Sequence, residues 1–433
     1  MFSSYLYQGG AMSKQSDNRM DGPDIVVIGA GIIGITAAIE LLSRGARVTV
    51  MDRTGVAAGA SQGNAGAFAF SDASPLASPG IIRKAPKWLF DPLGPLSIPL
   101  PYAVRIAPWM YRFWKASSAD LVARGTEALT ALMRVSRDHL ENFMERTCTR
   151  HMLHHHGNLQ LYEDKAAFKA VLPLWQRRSE NGVDYTALEG VEAIAEAQAG
   201  IHPRFSRAIL TPAWLGISDP KDYTMALGRY FEAAGGQIEI SAVMGIEVAG
   251  DRVSLLRDDG TRREADHIVV AAGAWSHYLA RTLGDHIPLE TERGYNTTLP
   301  VGAFDLKRQL SFEEHGFIVS PLATGIRVGG AVELGGLKLP PNYSRADAML
   351  RKAKMFLPKL KIANGRQWMG FRPSLPDSVP VIGPATQSSR VTYAFGHGHL
   401  GLTQSAGTAK LVAQHVMGET PEVDLFPYRA QRF

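Results

Sequence analysis

The chain has 433 residues, of which 45% are hydrophobic, 20% charged and 9% aromatic, with a formal net charge of +5. This is enough apolar sequence for a large core and two domains, while the mild charge and the lack of a basic stripe interleaved with aromatics exclude nucleic acid as a partner. A single cysteine, Cys148, excludes a disulfide framework and a four-thiolate metal site and favours a reducing compartment, so the expected location is cytoplasmic.

The opening "MFSSYLYQGGAMSKQSDNRMDG" has no basic n-region and no continuous apolar stretch, so residues 1–21 are expected to form a disordered leader rather than a secretory signal. No uninterrupted run of about 18 apolar residues predicts a spanning helix. Residues 24–29 then read as a buried parallel strand. A turn carrying Gly29, Gly31 and Gly34 in the spacing Gly-x-Gly-x-x-Gly follows. A helix from about Ile33 to Arg44 comes next, stopped by Gly45, and "ARVTVMD" is a second strand ending at Asp52. The glycines let backbone approach a pyrophosphate at the positive end of the helix. Asp52, 18 residues past Gly34, is placed to accept both hydroxyls of a ribose.

From Pro75 to Pro108 the chain is proline-rich and aperiodic, then helical to about Arg150. Segment 86–115 sets Trp88, Phe90, Trp109, Tyr111, Phe113 and Trp114 beside Lys87, Arg112 and Lys115, with Arg83 and Lys84 just before it. That composition suits a membrane surface and equally suits packing on a core. "HMLHHHGN" groups His151, His154, His155 and His156 without a carboxylate or thiolate partner, so it reads as a solvated loop and no metal is expected. "GNLQLYE" reads as a strand, 165–200 as helical, and a helix starts at about Pro220. Strands and a hairpin with its turn at Asp258-Asp259-Gly260 follow, and "HIVVAAGAW" is a buried strand whose terminal Gly273 permits close approach to a cofactor. Residues 287–333 alternate like an antiparallel sheet, 344–363 are helical, and the tail is loop, strand, glycine turn and helix.

A nicotinamide enzyme usually completes its sheet with consecutive β-α units. Here the completing strands come from near residue 270 and from the final "YAFGHGHLGLT". A chain that leaves, builds a second domain and returns twice suits an extended, permanently held ligand, FAD. A nicotinamide-only dehydrogenase is the alternative.

Five motifs now stand in order: "VIGAGIIG" with Asp52, "ASQGNAG" at 60–66, "VVAAGAW" at 269–275, "GFRPSLPDSVPVIG" at 370–383 and "GHGHLGLT" at 396–403. With them the chain resembles the FAD-dependent D-amino-acid oxidase and dehydrogenase superfamily, most closely its bacterial D-amino-acid dehydrogenase branch. The resemblance implies an α/β fold with a discontinuous Rossmann-like FAD-binding domain and an α+β substrate domain built on an antiparallel sheet. The first is expected over 22–80, 205–285 and 365–433, the second over 81–204 and 286–364.

It implies that Ser61, Asn64 and Ala65 lie beside the pyrophosphate and the flavin ring and that Val243 makes a backbone contact to adenine. Gly398, Leu400, Gly401, Leu402 and Thr403 form the turn whose amides face the flavin's pyrimidine edge. Arg372 would hold the substrate carboxylate, which a guanidinium can grip by two parallel hydrogen bonds; a structural ion pair is the alternative. Tyr295 is expected to bond the same carboxylate and His399 to face the pocket, each against a purely structural role. With Cys148 outside the flavin motifs and no histidine in "ASQGNAG", FAD is expected to be non-covalent.

The implied reaction is oxidative deamination of a D-amino acid to the 2-oxo acid and ammonia, by hydride transfer from Cα to flavin N5. Electrons would pass to a quinone or other acceptor, with the protein peripheral on the cytoplasmic face of the inner membrane. A dehydrogenase of D-proline or 4-hydroxy-D-proline, a glycine or N-methylglycine oxidase, and a flavin-holding subunit without its own amine substrate are the alternatives.

Overall fold

A computed structural model describes residues 22–80, 96–180, 182–250 and 252–433. The expected leader, and Trp88 and Phe90 with their neighbouring cations, lie outside the described residues.

The glycine turn belongs to a six-stranded sheet in the order Gln237–Ile240, Arg47–Asp52, Asp24–Ile28, His267–Val270, Val391–Phe395, Val381–Pro384. The first five run parallel and the last is antiparallel. Period-two alternation divides its apolar residues between two cores. Ile25, Val27, Val48, Val50 and Val269 face helices Ile32–Leu42, Ala119–Arg146 and Gly401–Val416. Val26, Ile28, Ile268, Val270 and Tyr393 face the small antiparallel sheet Val243–Ala249, Arg252–Arg257, Arg262–Ala265. Both faces are covered, which is why Ile25, Val26, Val27 and Ile28 are all apolar. The strands the sequence drew from near 270 and from the C-terminal tail both arrive, beside the first strand and beside each other.

Gly29 has φ of +110°, a conformation that side chains resist. A β-carbon at Gly34 would run into the Gly29 carbonyl oxygen, so the third glycine lets the helix sit against its own entry turn.

The second layer is a nine-stranded sheet. Its path runs Arg366–Ser374, Glu290–Leu299, Gly325–Leu334, Phe317–Leu322, Gln309–Phe312, Asn158–Tyr162, Arg207–Thr211, Thr186–Glu189, with Leu96–Ser97 joining Gly325–Leu334. Helix Ser344–Phe356 covers one face through Ala346, Met349, Ala353 and Phe356. The antiparallel sheet expected over 287–333 is present.

The expected boundaries shift. Arg207–Thr211 and Arg366–Ser374, assigned to the nucleotide half, pair into the large sheet. Helix Ala119–Arg146, assigned to the substrate half, packs through Leu129, Leu132 and Phe143 into the nucleotide core. Alternation marks which residues of an element are buried, not which sheet buries them. The stretch 165–200 is helix Lys165–Glu180, strand Thr186–Glu189 and helix Val191–Ala197 rather than continuous helix. Helix Leu100–Ala116 starts before Pro108 and contains it on an exposed face.

Candidate active site

A cavity of about 470 Å³ opens at the carboxyl ends of the parallel strands, where doubly wound sheets bind ligands. Twelve of the residues expected at the site line it: Gly29, Gly31, Asp52, Ser61, Asn64, Val243, Gly273, Arg372, Gly398, His399, Gly401 and Leu402. Segments far apart in the chain therefore converge as the motif order implied.

The nucleotide end is built from the helix terminus. The first amides of helix Ile32–Leu42 have no intrahelical acceptor; that of Ile32 donates to Ser61 Oγ at 2.9 Å, tying loop 60–66 to the helix. Asp52 is held in place because its Oδ2 accepts from the Ala30 amide (2.9 Å) and its Oδ1 from those of Thr54 (2.8 Å) and Gly55 (3.0 Å). Oδ1 also accepts from Thr54 Oγ1 at 3.1 Å and is fully engaged, whereas Oδ2 accepts one bond and keeps a lone pair for a ribose hydroxyl. A β-carbon on Gly31 would press on Ser61 Oγ at 3.3 Å, so the cradle is shaped by the missing side chain. These features fit the dinucleotide portion of FAD.

The other end joins the two layers. The Gly398 amide donates to the Pro373 carbonyl at 2.8 Å, and Ser374 and His397 form a β-bridge. Strand Arg366–Ser374 is thereby stapled to the glycine turn that opens helix Gly401–Val416, and Arg372 is held beside that turn. Its guanidinium lies over Gly294, where a β-carbon would collide with it. Nη1 donates to the Ala331 carbonyl at 3.1 Å, and among the described residues no carboxylate lies within 4.0 Å of it. Burial lowers its pKa and nearby Glu292, its cross-strand partner, opposes that shift. The group has five N–H donors, so most remain for a ligand. His399 Nε2 is 3.6 Å from Asp72 Oδ2. Burial would raise the Asp72 carboxyl, but His399 and Arg178 hold it below its usual range.

Five expected residues lie outside the cavity lining. Gly34 serves helix packing as described. Leu400 is the N-cap of helix Gly401–Val416 and part of the core, and Thr403 Oγ1 accepts from the Ala69 amide at 3.0 Å, binding that helix to strand Ala67–Ala69. Ala65 is half-buried in loop 60–66. Tyr295 is a correction. It pairs with Met369 across the sheet, whereas Arg372 pairs with Glu292, and alternation sends the two side chains to opposite faces. The tyrosine is 1% exposed. Its hydroxyl donates to Glu333 Oε1 at 3.0 Å and accepts from the Asn342 amide at 2.9 Å. Arg293, fully buried, caps Glu333 and the carbonyls of Gly336, Leu339 and Pro340, completing that network.

Among the cavity residues that sequence reasoning missed are His397, Arg53 and Trp275. His397 is 4% exposed, shares a 3.0 Å hydrogen bond with Thr408 Oγ1, and burial lowers its pKa to about 3, so it stays neutral. It sits in the same "GHGHLGLT" motif as His399, but nothing in the motif says which histidine is buried. The Arg53 guanidinium lies 3.6 Å from the Trp275 ring centroid, a pairing between distant segments that only the fold brings together. In the stretch 151–156, His154 bonds Ser218 Oγ at 2.8 Å and stacks on His156.

Comparison with known proteins agrees with this architecture. The family model described as FAD dependent oxidoreductase matches residues 24–415. A D-amino-acid oxidase from Bradyrhizobium diazoefficiens is 32% identical over 420 residues, 95% of this chain and 99% of the relative. A D-amino acid dehydrogenase from Rhizobium johnstonii is 30% identical, covering 92% and 97%. Among solved structures, glycine oxidase from Geobacillus kaustophilus superposes with a TM-score of 0.74 at 20% identity, covering 95% and 99%. Iminodiacetate oxidase from Chelativorans sp. BNC1 does so at 0.72 and 21%, covering 94% and 98%.

Proposed function

The chain belongs to the FAD dependent oxidoreductase family and is a flavoenzyme, and on that premise we propose that it oxidises the α-carbon of a D-amino acid to give, after hydrolysis of the imine, the 2-oxo acid and ammonia. The observation that supports this reading is Arg372: a cation with no carboxylate within 4.0 Å among the described residues, in the cofactor cavity, on a strand stapled to the glycine turn. Bound FAD supplies the acceptor for the hydride from Cα. Arg372 holds the substrate carboxylate by two charge-assisted bonds, so that the single Cα–H faces the acceptor, and this positioning supplies much of the rate. The amine must be neutral to expel hydride. His399 takes its proton, held by Asp72. FAD is held non-covalently by the glycine turns and Asp52.

A D-amino acid added to the purified protein without oxygen should bleach its yellow colour; no bleaching by either enantiomer of any amino acid sinks the reading. D-proline and 4-hydroxy-D-proline belong in the same screen, as do glycine and N-methylglycine. For the proton acceptor, His399→Gln is expected to lower kcat/KM about 10²-fold, within the usual worth of a positioned base, and Asp72→Asn less. Equal kcat/KM in His399→Gln and wild type assigns the proton to water.

Electrons leave to a quinone at a membrane surface. Helix Leu100–Ala116 buries Ile106 and Trp109 but exposes Leu100 and Val104 at 88%, Tyr111 at 58% and Trp114 at 54%. Spacings of four, seven and three residues put these four on one outward stripe. Arg105, Arg112 and Lys115 flank it, all exposed, and the helix has no acidic residue. No helix among the described residues is long and apolar enough to cross a membrane, and this exposed face is the surface we propose for attachment. Sedimentation with phosphatidylglycerol vesicles is expected, and Val104→Glu with Tyr111→Glu should abolish it; equal sedimentation with purely zwitterionic vesicles, or binding that survives the double variant, removes this surface.

A further inference from the structure

Loop 60–66, "ASQGNAG", is gripped from behind by the large sheet. Asn296 Nδ2 donates to the Gly63 carbonyl at 2.7 Å, Arg327 Nη1 to the Asn64 carbonyl at 2.7 Å, and Gln309 Nε2 to the Gly66 carbonyl at 3.4 Å. The three side chains come from three different strands and are 4%, 7% and 3% exposed. Arg327 is itself fixed by Thr298 Oγ1 at 3.0 Å and by Asp219, whose Oδ2 lies 3.6 Å away. Trp368, opposite Asn296 in the sheet, lies where a β-carbon of Gly63 would be. Asn64 closes the loop on itself, donating to the Ser61 carbonyl (3.4 Å) and accepting from the Gly66 amide (2.9 Å).

The carbonyls of residues 61, 63, 64 and 66 are therefore all engaged, three of them by the sheet. Among the described residues, the amides of Asn64 and Ala65 have no acceptor. A peptide whose C=O is drawn one way presents its N–H the other way, because the unit is planar and trans. Ser61 and Asn64 line the cofactor cavity. A row of carbonyls turned to the sheet thus leaves the positive ends of the peptide dipoles toward the cofactor, where they stabilise negative charge.

We propose that Asn296, Arg327 and Gln309 are positioning residues that orient loop 60–66 so that its amides face the flavin and favour the reduced, negatively charged ring. The inference rests on flavin binding and not on the choice of substrate, so a failed substrate screen leaves its test intact. Asn296→Asp is nearly isosteric but turns the donor into an acceptor against the Gly63 carbonyl. It is expected to weaken FAD binding about 10-fold by fluorescence titration of the apoprotein, to alter the visible flavin spectrum and to lower the midpoint potential. Asn296→Ser removes the amide without adding charge and carries the same expectation if aspartate prevents folding. Thr297→Val is the control: its hydroxyl is buried without a partner on the same strand, and its FAD affinity, spectrum and potential should match wild type. A folded Asn296 variant with unchanged affinity and potential overturns the proposal. So does a Thr297→Val variant that moves both as far, since general packing of the sheet would then account for the effect.

Discussion

Arg372→Ala is expected to keep FAD and its yellow colour while losing about 10²–10³-fold in kcat/KM for the D-amino acid. Removing one partner of a hydrogen-bonded charge pair in a desolvated site costs about 3–4 kcal/mol, which gives that factor at about 1.4 kcal/mol per decade. The flavin should stay because the nucleotide end is built from other segments: the Gly29–Gly34 turn, Asp52 and Ser61. Arg372→Lys keeps the charge but loses the planar fork, and should recover only part of the loss. The guanidinium remains charged at any working pH, so its contribution should not titrate. Anaerobic flavin reduction at varied substrate concentration measures both the affinity and the limiting rate. Unchanged affinity and rate in the alanine variant would place the carboxylate elsewhere.

The second large effect concerns stability. Glu40, on the dinucleotide helix and 1% exposed, receives Arg44 Nη1 at 2.6 Å, His139 Nε2 at 3.0 Å and a contact from Arg146. His139 and Arg146 belong to helix Ala119–Arg146, so this cluster welds the two helices behind the glycine turn. Burial alone would raise the carboxyl; the bonds from His139 and Arg44 and the charge of Arg146 outweigh it and lower the pKa from 4.5 to about 2. Breaking a buried pair costs about 3–5 kcal/mol. Because the arginine side chains are 20% and 37% exposed, the loss expected for Glu40→Ala is about 2–4 kcal/mol. A depressed carboxylate stabilises the fold fully above pH 4.5, and that stabilisation disappears as pH falls toward 2. Urea unfolding should therefore show a gap between wild type and Glu40→Gln at pH 7 that narrows below pH 4.5. A gap that stays constant with pH would show that the charge contributes nothing.

The parts of the site that were legible in the sequence are those where backbone chemistry requires a residue type. Gly29 needs its positive φ, Gly34 its missing β-carbon, and Asp52 ends a strand that parallel pairing brings beside the turn. The return of strands 267–270 and 391–395 to the first sheet could be inferred because each is a short, mostly apolar run without polar alternation, as suits strands covered on both faces. The strands on the large sheet were harder. Arg207–Thr211 and Arg366–Ser374 look alike whichever sheet they join, and partner choice is a long-range contact that leaves no local pattern. Tyr295 fails for a narrower reason: it lies in a strand with both faces buried, so polarity does not reveal which face it takes, and a single step in parity separates the substrate side from the core. The clamp of Asn296, Arg327 and Gln309 was invisible because isolated polar residues in a sheet carry no spacing signal.

The order of strands in the parallel sheet also governs when the site can exist at all. The first strand, Asp24–Ile28, receives its inner neighbour only with His267–Val270, and that strand receives its own only with Val391–Phe395. During synthesis the amino-terminal strand, helix and strand therefore wait, with one edge unpaired, until residues 267–270 have been made, and the edge those residues present stays open until 391–395 follow. The cavity also draws His397, Gly398, Gly401 and Leu402 from the segment after it, so a nascent chain that stops before Val391–Phe395 lacks both the strand beside His267–Val270 and that part of the lining.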